Sequence, residues 1–342
     1  MPACRRSLVF AAARAVEVRE EPLDGPGPGQ VLVETVVSAI SSGTELLVYR
    51  DEVPAGMALD ASIPGLTGSF ALPAKYGYAT VGRVAELGPG VSGDWRDRLV
   101  FCLHPHETHF VAGTGELAPV PPEVPVEDAC FLAAAETAVT FVMDGRPIVG
   151  ERVAVFGQGV VGLLTTALLA RFPLESLLTV DRHPLRREHS VALGAHRSLD
   201  PASAETVAEL DRLAGSFDLT YEISGSPTAL DQAVALTGFA GRVVVGSWYG
   251  VRRVDLDLGG AFHRSRMRLV SSQVSTIDPR WLGRWDRERR RQAAWDLLRA
   301  TRPHRLVTHR VPFADAPRAY VLLDRHPEQA VQVLFCYPPS GA

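Results

Sequence analysis

The stretch Val153-Ala154-Val155-Phe156-Gly157-Gln158-Gly159-Val160-Val161-Gly162 constrains this chain more than any other. A β-branched apolar run enters a glycine turn, and a Leu- and Ala-rich run leaves it with helical character. The glycines fall as G-x-G-x-x-G. Gly157 permits the tight turn, Gly159 lets a pyrophosphate approach the backbone, and Gly162 lets the helix pack on its strand. Free N–H groups of Val160 and Val161 at the helix start then face phosphate, where the helix dipole also favours negative charge.

The surroundings match that reading. Leu177–Val180 is a second buried strand, and it ends in Asp181, 19 residues after Gly162, where a ribose-binding carboxylate is expected. Further strands at 217–221, 242–246 and 267–271 alternate with helical patterns, which predicts a doubly wound parallel sheet that binds a dinucleotide. Asp181 favours NAD over NADP. A phosphate against a fixed carboxylate costs a few kcal/mol at an effective dielectric of about 20. Arg182 and Arg186 can return only about 1–3 kcal/mol as exposed contacts.

Composition narrows the class. No apolar run reaches the roughly 18 residues of a membrane span, and the apolar patch after Arg6 is too short for a secretion signal. Cys4, Cys102, Cys130 and Cys336 lie far apart, which excludes zinc-ribbon spacing and fits a reducing cytoplasm. The net charge of −4 gives nucleic acid no reason to bind. Arg284, Arg287, Arg289, Arg290 and Arg291 lie among tryptophans and leucines at helical spacing and read as the solvated face of an amphipathic helix. The cations are 34 arginines and one lysine, Lys75, so Lys75 is a candidate for work that needs a compact, titratable amine.

Taken in order, residues 1–124 are rich in Val, Gly and Pro and read as short strands and turns. Residues 125–275 form the dinucleotide-binding unit, and 276–342 return to complete the first domain. The motifs Gly82–Val91, the glycine turn, Tyr221-Glu222-Ile223-Ser224-Gly225 and Leu306-Val307-Thr308-His309-Arg310 together resemble the medium-chain dehydrogenase/reductase superfamily, the zinc-type alcohol dehydrogenase fold. The resemblance covers nearly the whole chain. It implies an α/β protein with a Rossmann sheet and a β-rich GroES-like catalytic domain. Ile40–Glu45 and Lys75–Tyr78 look nearest to the bacteriochlorophyllide a dehydrogenase-like group.

Zinc-dependent members bind the metal through a Cys-Gly-Thr/Ser-Asp string, a Gly-His-Glu string and a further Cys or Glu. Here those positions hold Ser42, Tyr78, Ala79 and Glu136. One carboxylate and one hydroxyl do not make the three or four ligands zinc needs, so a zinc-independent branch is expected. His104, His106 and His109 form a dense run; a metal site there has no familiar spacing, and a proton-relay role for His104 or His106 is the sharper alternative to simple loop packing.

Without zinc, another group must move the hydroxyl proton. Tyr78 occupies the lost histidine's place, and Lys75 lies three residues before it; in a strand they point oppositely, so a turn at Gly77 is required for them to meet. By resemblance, Thr44 contacts substrate oxygen, Glu45 continues the same string, Thr140 lies beside the nicotinamide, and Ser224, Gly225 and Ser247 line the cofactor. Trp248 and Tyr249 suggest a flat or apolar substrate. The leading expectation is a cytoplasmic NAD(P)-dependent enzyme interconverting a secondary alcohol and a ketone. An NADPH-dependent enone or quinone reductase and a non-catalytic nucleotide sensor are the alternatives. Resemblance also implies a homodimer joined through the last Rossmann strand, Arg266–Ser275.

Overall fold

In the computed structural model, residues 4–59, 66 and 68–338 are described. They divide into two compact units, Met1–Ala133 with Arg302–Ala342, and Ala134–Thr301. The second unit therefore extends through its last helix, and the return segment starts at Arg302 rather than at 276.

The first unit contains β1 (Cys4–Ala12), β2 (Ala15–Pro22), β3 (Gln30–Ala39), α1 (Ser42–Tyr49), β4 (Thr80–Leu87), β5 (Leu99–Cys102), β6 (His109–Gly113), β7 (Leu117–Pro119) and α2 (Val126–Ala129). Next come α3 (Leu132–Gly145), β8 (Arg152–Phe156), α4 (Val160–Leu169), β9 (Ser176–Val180), α5 (Pro184–Ala192), β10 (Arg197–Leu199), α6 (Ala204–Arg212), β11 (Phe217–Glu222), α7 (Pro227–Leu236), β12 (Thr237–Val245), β13 (Arg268–Ser271) and α8 (Arg287–Thr301). The chain ends with β14 (Val307–Pro312), α9 (Ala316–Arg325) and β15 (Gln332–Cys336).

In the second unit the strands order β10-β9-β8-β11-β12-β13, all parallel. That is the doubly wound order of a dinucleotide-binding sheet, with the switch point beside β8. Its central strands β8 and β9 read as nearly continuous apolar runs because both faces are covered, with Val153, Val155, Leu177, Leu219 and Val244 buried on one side and Ala154, Phe156, Leu178 and Val243 on the other.

The first unit is a mostly antiparallel sheet, β14-β15-β3-β4-β5-β7, with β6 also on β3. Val31, Val33, Val84, Val100 and Phe110 fill its core from alternating positions. The hairpin β1–β2 joins it through backbone bonds from Leu8 to His106 and from Thr108 to Arg6. One element departs from the sequence reading. Residues 42–49, expected as turn and strand, form the helix α1. Glu45 starts it by accepting the Ser41 N–H at 2.7 Å, which satisfies an end group that the helix leaves free.

Candidate active site

The glycine turn is built as its spacing predicts. Gly157 has φ +94°, and a Cβ there would stand 2.7 Å from Ser224 backbone. A Cβ on Gly162 would stand 2.0 Å from the Gly157 carbonyl oxygen, so only glycine lets α4 rise this close to the turn. Around Gly159 a Cβ would meet nothing within 4 Å, so that side of the turn is open. The first helical bond runs from Leu163 N–H to Gly159, leaving the amides of Val160, Val161 and Gly162 without helical acceptors. These features fit a pyrophosphate.

Asp181 is buried, and it does more than wait for a ribose. One carboxylate oxygen accepts the Gln158 N–H at 2.7 Å and the other accepts His183 N–H at 2.8 Å. Each oxygen keeps a second lone pair for a hydroxyl. Arg182 is exposed and its Nε donates to His183; Arg186 is half-buried, and burial lowers its pKa against the opposing effect of Asp181. Arg187, which the sequence reading passed over, donates to the Asp181 carbonyl and pairs with Asp200.

Glu222 organises the next loop. Its Oε1 accepts Ser224 N–H at 2.7 Å and Gly225 N–H at 3.0 Å, while Ser247 Oγ also accepts from Gly225. Its Oε2 accepts the Tyr249 hydroxyl at 2.6 Å. Burial, then the Glu222 charge, raises the Tyr249 pKa. Tyr249, read with Trp248 as a sign of a flat or apolar substrate, thus braces this loop with its hydroxyl; Trp248 is half-buried beside it.

In the first unit, Tyr78 meets two hydroxyls. Its phenol is in short contact with Ser41 Oγ and donates to Thr44 Oγ1 at 3.2 Å. Lys75 does not supply the cation expected for that phenol. Its ammonium donates to Glu21 at 2.7 Å and to buried Glu107 at 2.9 Å, in a cluster that Arg5 and Ser7 complete. The turn at Gly77 is present, with φ +111°, but its small size serves another neighbour: a Cβ would stand 2.6 Å from the His106 ring.

Glu45 and His106 also depart from expectation, since both are fully buried. Glu45 accepts the Tyr320 hydroxyl at 2.5 Å and faces His106 Nε2 at 3.1 Å. His106 Nδ1 lies 2.7 Å from Ser38 Oγ, which meets Tyr337 at 2.8 Å. The network is internal, so neither Glu45 nor His106 presents an atom to substrate. His104 stacks on Phe110 with ring centroids 4.0 Å apart, and burial pushes its pKa down to about 4.

In the second unit, Glu136 and Thr140 lie on α3 beside Arg290 of α8. Arg290 is buried, which corrects the reading of its arginine run as wholly solvated. The signal was present in the spacing, because position 290 shares a helix face with buried Ala294, Leu297 and Leu298. One terminal nitrogen of Arg290 donates to the Val274 carbonyl at 2.6 Å and lies 3.4 Å from Thr140 Oγ1. The other stands 3.8 Å from Glu136, and Arg291 stands at 4.0 Å. Burial raises the Glu136 pKa, and the arginines oppose it.

Known proteins share this fold. A family model described as "Zinc-binding dehydrogenase" matches residues 160–286. The (R,R)-butanediol dehydrogenase of Bacillus subtilis is 28% identical over 260 residues, 67% of this chain and 74% of the relative. A crystal structure of 2R,3R-butanediol dehydrogenase from Bacillus subtilis superposes with TM-score 0.78 at 19% identity, covering 97% of this chain and 99% of the other. Acetophenone reductase of Geotrichum candidum, solved with NAD, gives TM-score 0.78 at 14% identity over 98% of each chain.

The chain is similar to the zinc-type alcohol dehydrogenases, in sequence to the butanediol dehydrogenase and in fold to the solved structures. It is an NAD(P)-dependent oxidoreductase. The superfamily implies zinc, and the residues at the ligand positions do not fit it. Ser42 offers only a hydroxyl, Tyr78 a phenol already bonded to Ser41 and Thr44, Ala79 no donor atom, and Glu136 faces arginines. Among the described residues no three His, Cys, Asp or Glu side chains are grouped to hold a metal.

The His104 shift has a measurable consequence. Its folded pKa of about 4 lies below the unfolded value of about 6.5, so between those limits the unfolded chain binds more protons. Stability therefore falls as pH drops through that window. Urea midpoints measured from pH 7 to pH 4 should decline less steeply in His104→Gln than in the unaltered protein. Parallel declines would show that His104 carries none of the effect.

Proposed function

We propose that this chain interconverts a secondary alcohol and a ketone on a small or medium-sized metabolite without zinc, and with NAD in preference to NADP. The observation that carries the reading is the hydroxyl cluster of Tyr78, Ser41 and Thr44, gathered around the residue that takes the place of the histidine ligand. When bound, the nicotinamide supplies a hydride acceptor or donor. Gly157, Gly159, Val160, Val161 and Gly162 hold the pyrophosphate, and Asp181 accepts the ribose hydroxyl. Ser224, Gly225 and Ser247, fixed by Glu222, shape the loop beyond β11.

In this reading the Tyr78 phenol exchanges the hydroxyl proton of the substrate, and Ser41 and Thr44 orient it and pass the proton on. A positioned acid–base group contributes about 10²–10⁴-fold. Tyr78→Phe should therefore lower turnover about 10²-fold while leaving NADH affinity near that of the parent protein. Absorbance at 340 nm against alcohols, ketones and enones measures turnover, with and without a chelator. Loss of activity on chelation, or reduction of enones alone, would replace the zinc-independent alcohol/ketone reading.

Cofactor choice rests on Asp181. The parent protein should bind NAD more tightly than NADP, and Asp181→Asn should narrow the gap. The buried carboxylate also holds the Gln158 and His183 amides, so part of any lost affinity reflects a loosened turn. A parent preference for NADP would give the decision to Arg182 and Arg186.

Assembly rests on β13. It ends the parallel sheet with β12 as its single partner, and Leu269 is exposed along it. An open edge strand of this kind recruits another. A twofold homodimer through β13 should give a dimer mass by light scattering, and Leu269→Lys should shift it toward monomer. A monomer mass in the parent protein, unchanged across concentrations, would exclude this assembly.

A further inference from the structure

The mismatch between the zinc ligand positions and their occupants leaves a question of charge. Oxidising an alcohol or reducing a ketone builds negative charge on the substrate oxygen, and preorganised donors or a fixed positive group stabilise it. We propose that the guanidinium of Arg290 is that group, in place of a metal ion. The inference rests on the alcohol/ketone reading above and assigns its electrostatic part.

Three observations of the second unit carry it. The first is position. Arg290 bonds the carbonyl of Val274, three residues past the carboxyl end of β13. Around the neighbouring strand end, a Cβ on Gly246 would stand 2.4 Å from the Phe141 ring, so α3 lies against the carboxyl end of β12. Sheets of this kind bind their ligands outside the carboxyl ends of their strands. Arg290 and the α3 residues Glu136 and Thr140 are therefore at the end of the sheet where a nicotinamide and its partner belong.

The second observation is incomplete satisfaction. Arg290 is 5% exposed, yet its Nε has no hydrogen-bond partner among the described residues. A buried donor left without a partner is costly to a fold. An oxygen anion would satisfy it, as guanidinium nitrogens bind oxyanions in pairs.

The third is the counter-charge. Glu136 stands 3.8 Å from Arg290, farther than a charge-assisted hydrogen bond of about 2.7–2.9 Å. At that distance, and with Arg291 also standing 4.0 Å from the same carboxylate, Glu136 makes no close bond to the Arg290 guanidinium. A well-formed buried pair elsewhere shows the contrast: Arg242 reaches Glu151 with two bonds of 2.7 Å. The loose pair is the one at the strand ends.

In the oxidative direction the substrate C–H bond breaks and its hydrogen leaves with both electrons to the nicotinamide ring. The O–H proton passes to the protein's acid–base group, and a C=O bond forms. Arg290 neither gives nor takes a proton in this sequence. It stabilises the oxygen while that oxygen carries charge.

The test compares the parent protein with Arg290→Gln, Arg290→Lys, Arg290→Ala and, as a neighbour control, Arg291→Gln. Arg290→Gln should lower kcat about 10²–10³-fold, the scale of one lost oxyanion donor, with NADH affinity and melting temperature little changed. Arg290→Lys should lose less, because it keeps the charge without the planar fork. Free guanidinium should restore part of the turnover of Arg290→Ala, which a residue that merely braces α3 against the Val274 segment would not allow. Arg291→Gln should have the smaller effect. Turnover of Arg290→Gln close to the parent's, or a fall in NADH affinity matching the fall in kcat with no rescue by guanidinium, would overturn the inference. If the parent protein turns over no alcohol or ketone, the alcohol/ketone reading has failed first, and binding decides the charge. Butyrate, an oxygen anion that cannot take hydride, should then raise the melting temperature of the parent–NADH complex and not that of Arg290→Gln. Equal shifts in both, or none in the parent, would overturn the assignment of Arg290 as an oxyanion site.

Discussion

The second unit depends on one close approach, that of α4 to the turn that precedes it. At Gly162 the helix backbone passes so near the Gly157 carbonyl that a single methyl group would stand 2.0 Å from the oxygen. That approach aims the free amides of the first helical turn at the strand ends, where a phosphate can use them. Asp181 then fixes the geometry from the side, because its carboxylate holds the amide of Gln158 inside the turn. The residue assigned to the ribose is therefore also a strut of the phosphate cradle. In the proposed reading, nucleotide recognition and turn stability share one carboxylate, and a change at Asp181 disturbs both.

The sequence disclosed what local chemistry fixes. Strands β8 and β9 are nearly continuous apolar runs bounded by turn residues, so their existence and their place in a parallel sheet follow from the pattern. The glycine turn was legible for the same reason, since its glycines answer to backbone geometry within ten residues. Helix α1 was not legible as helix. Its residues 42–49 include Gly43, Val48 and Tyr49, poor helix formers taken singly, and its start depends on Glu45 reaching back to Ser41. A Ser followed by Glu three or four residues later was the available signal.

The site was legible in its occupants and not in their partners. Ser42, Tyr78 and Ala79 are readable as changed positions in a known string. That Lys75 would reach Glu21 and Glu107, and that His106 would reach Ser38 and Glu45, depends on pairings of segments 30 to 70 residues apart. A lone lysine drew notice as a chemical candidate, whereas its position gives it the work of neutralising a carboxylate sealed inside the first unit. Arg290 erred in the opposite direction. Counted with four other arginines it read as solvent-facing, although its i+4, i+7 and i+8 neighbours already marked the buried stripe.

The buried carboxylates separate framework from site by how completely they are satisfied. Glu45 has the Ser41 amide, His106 and Tyr320; Glu107 has Ser7, Lys75 and Arg5; Glu222 has two loop amides and Tyr249. Each is enclosed by partners at hydrogen-bond distance, which is how a buried charge is tolerated in a fold. Glu136 is different. Its flanking cations stand at 3.8 Å and 4.0 Å, and burial raises its pKa against their pull. Evolution of a stable core would close such a gap, since a buried pair held apart recovers little of its desolvation cost. A site that admits and releases a polar ligand cannot close it. The looseness of Glu136 and Arg290, set against the tightness of the other three, is the physical mark by which the chemistry of the second unit is distinguished from its scaffolding.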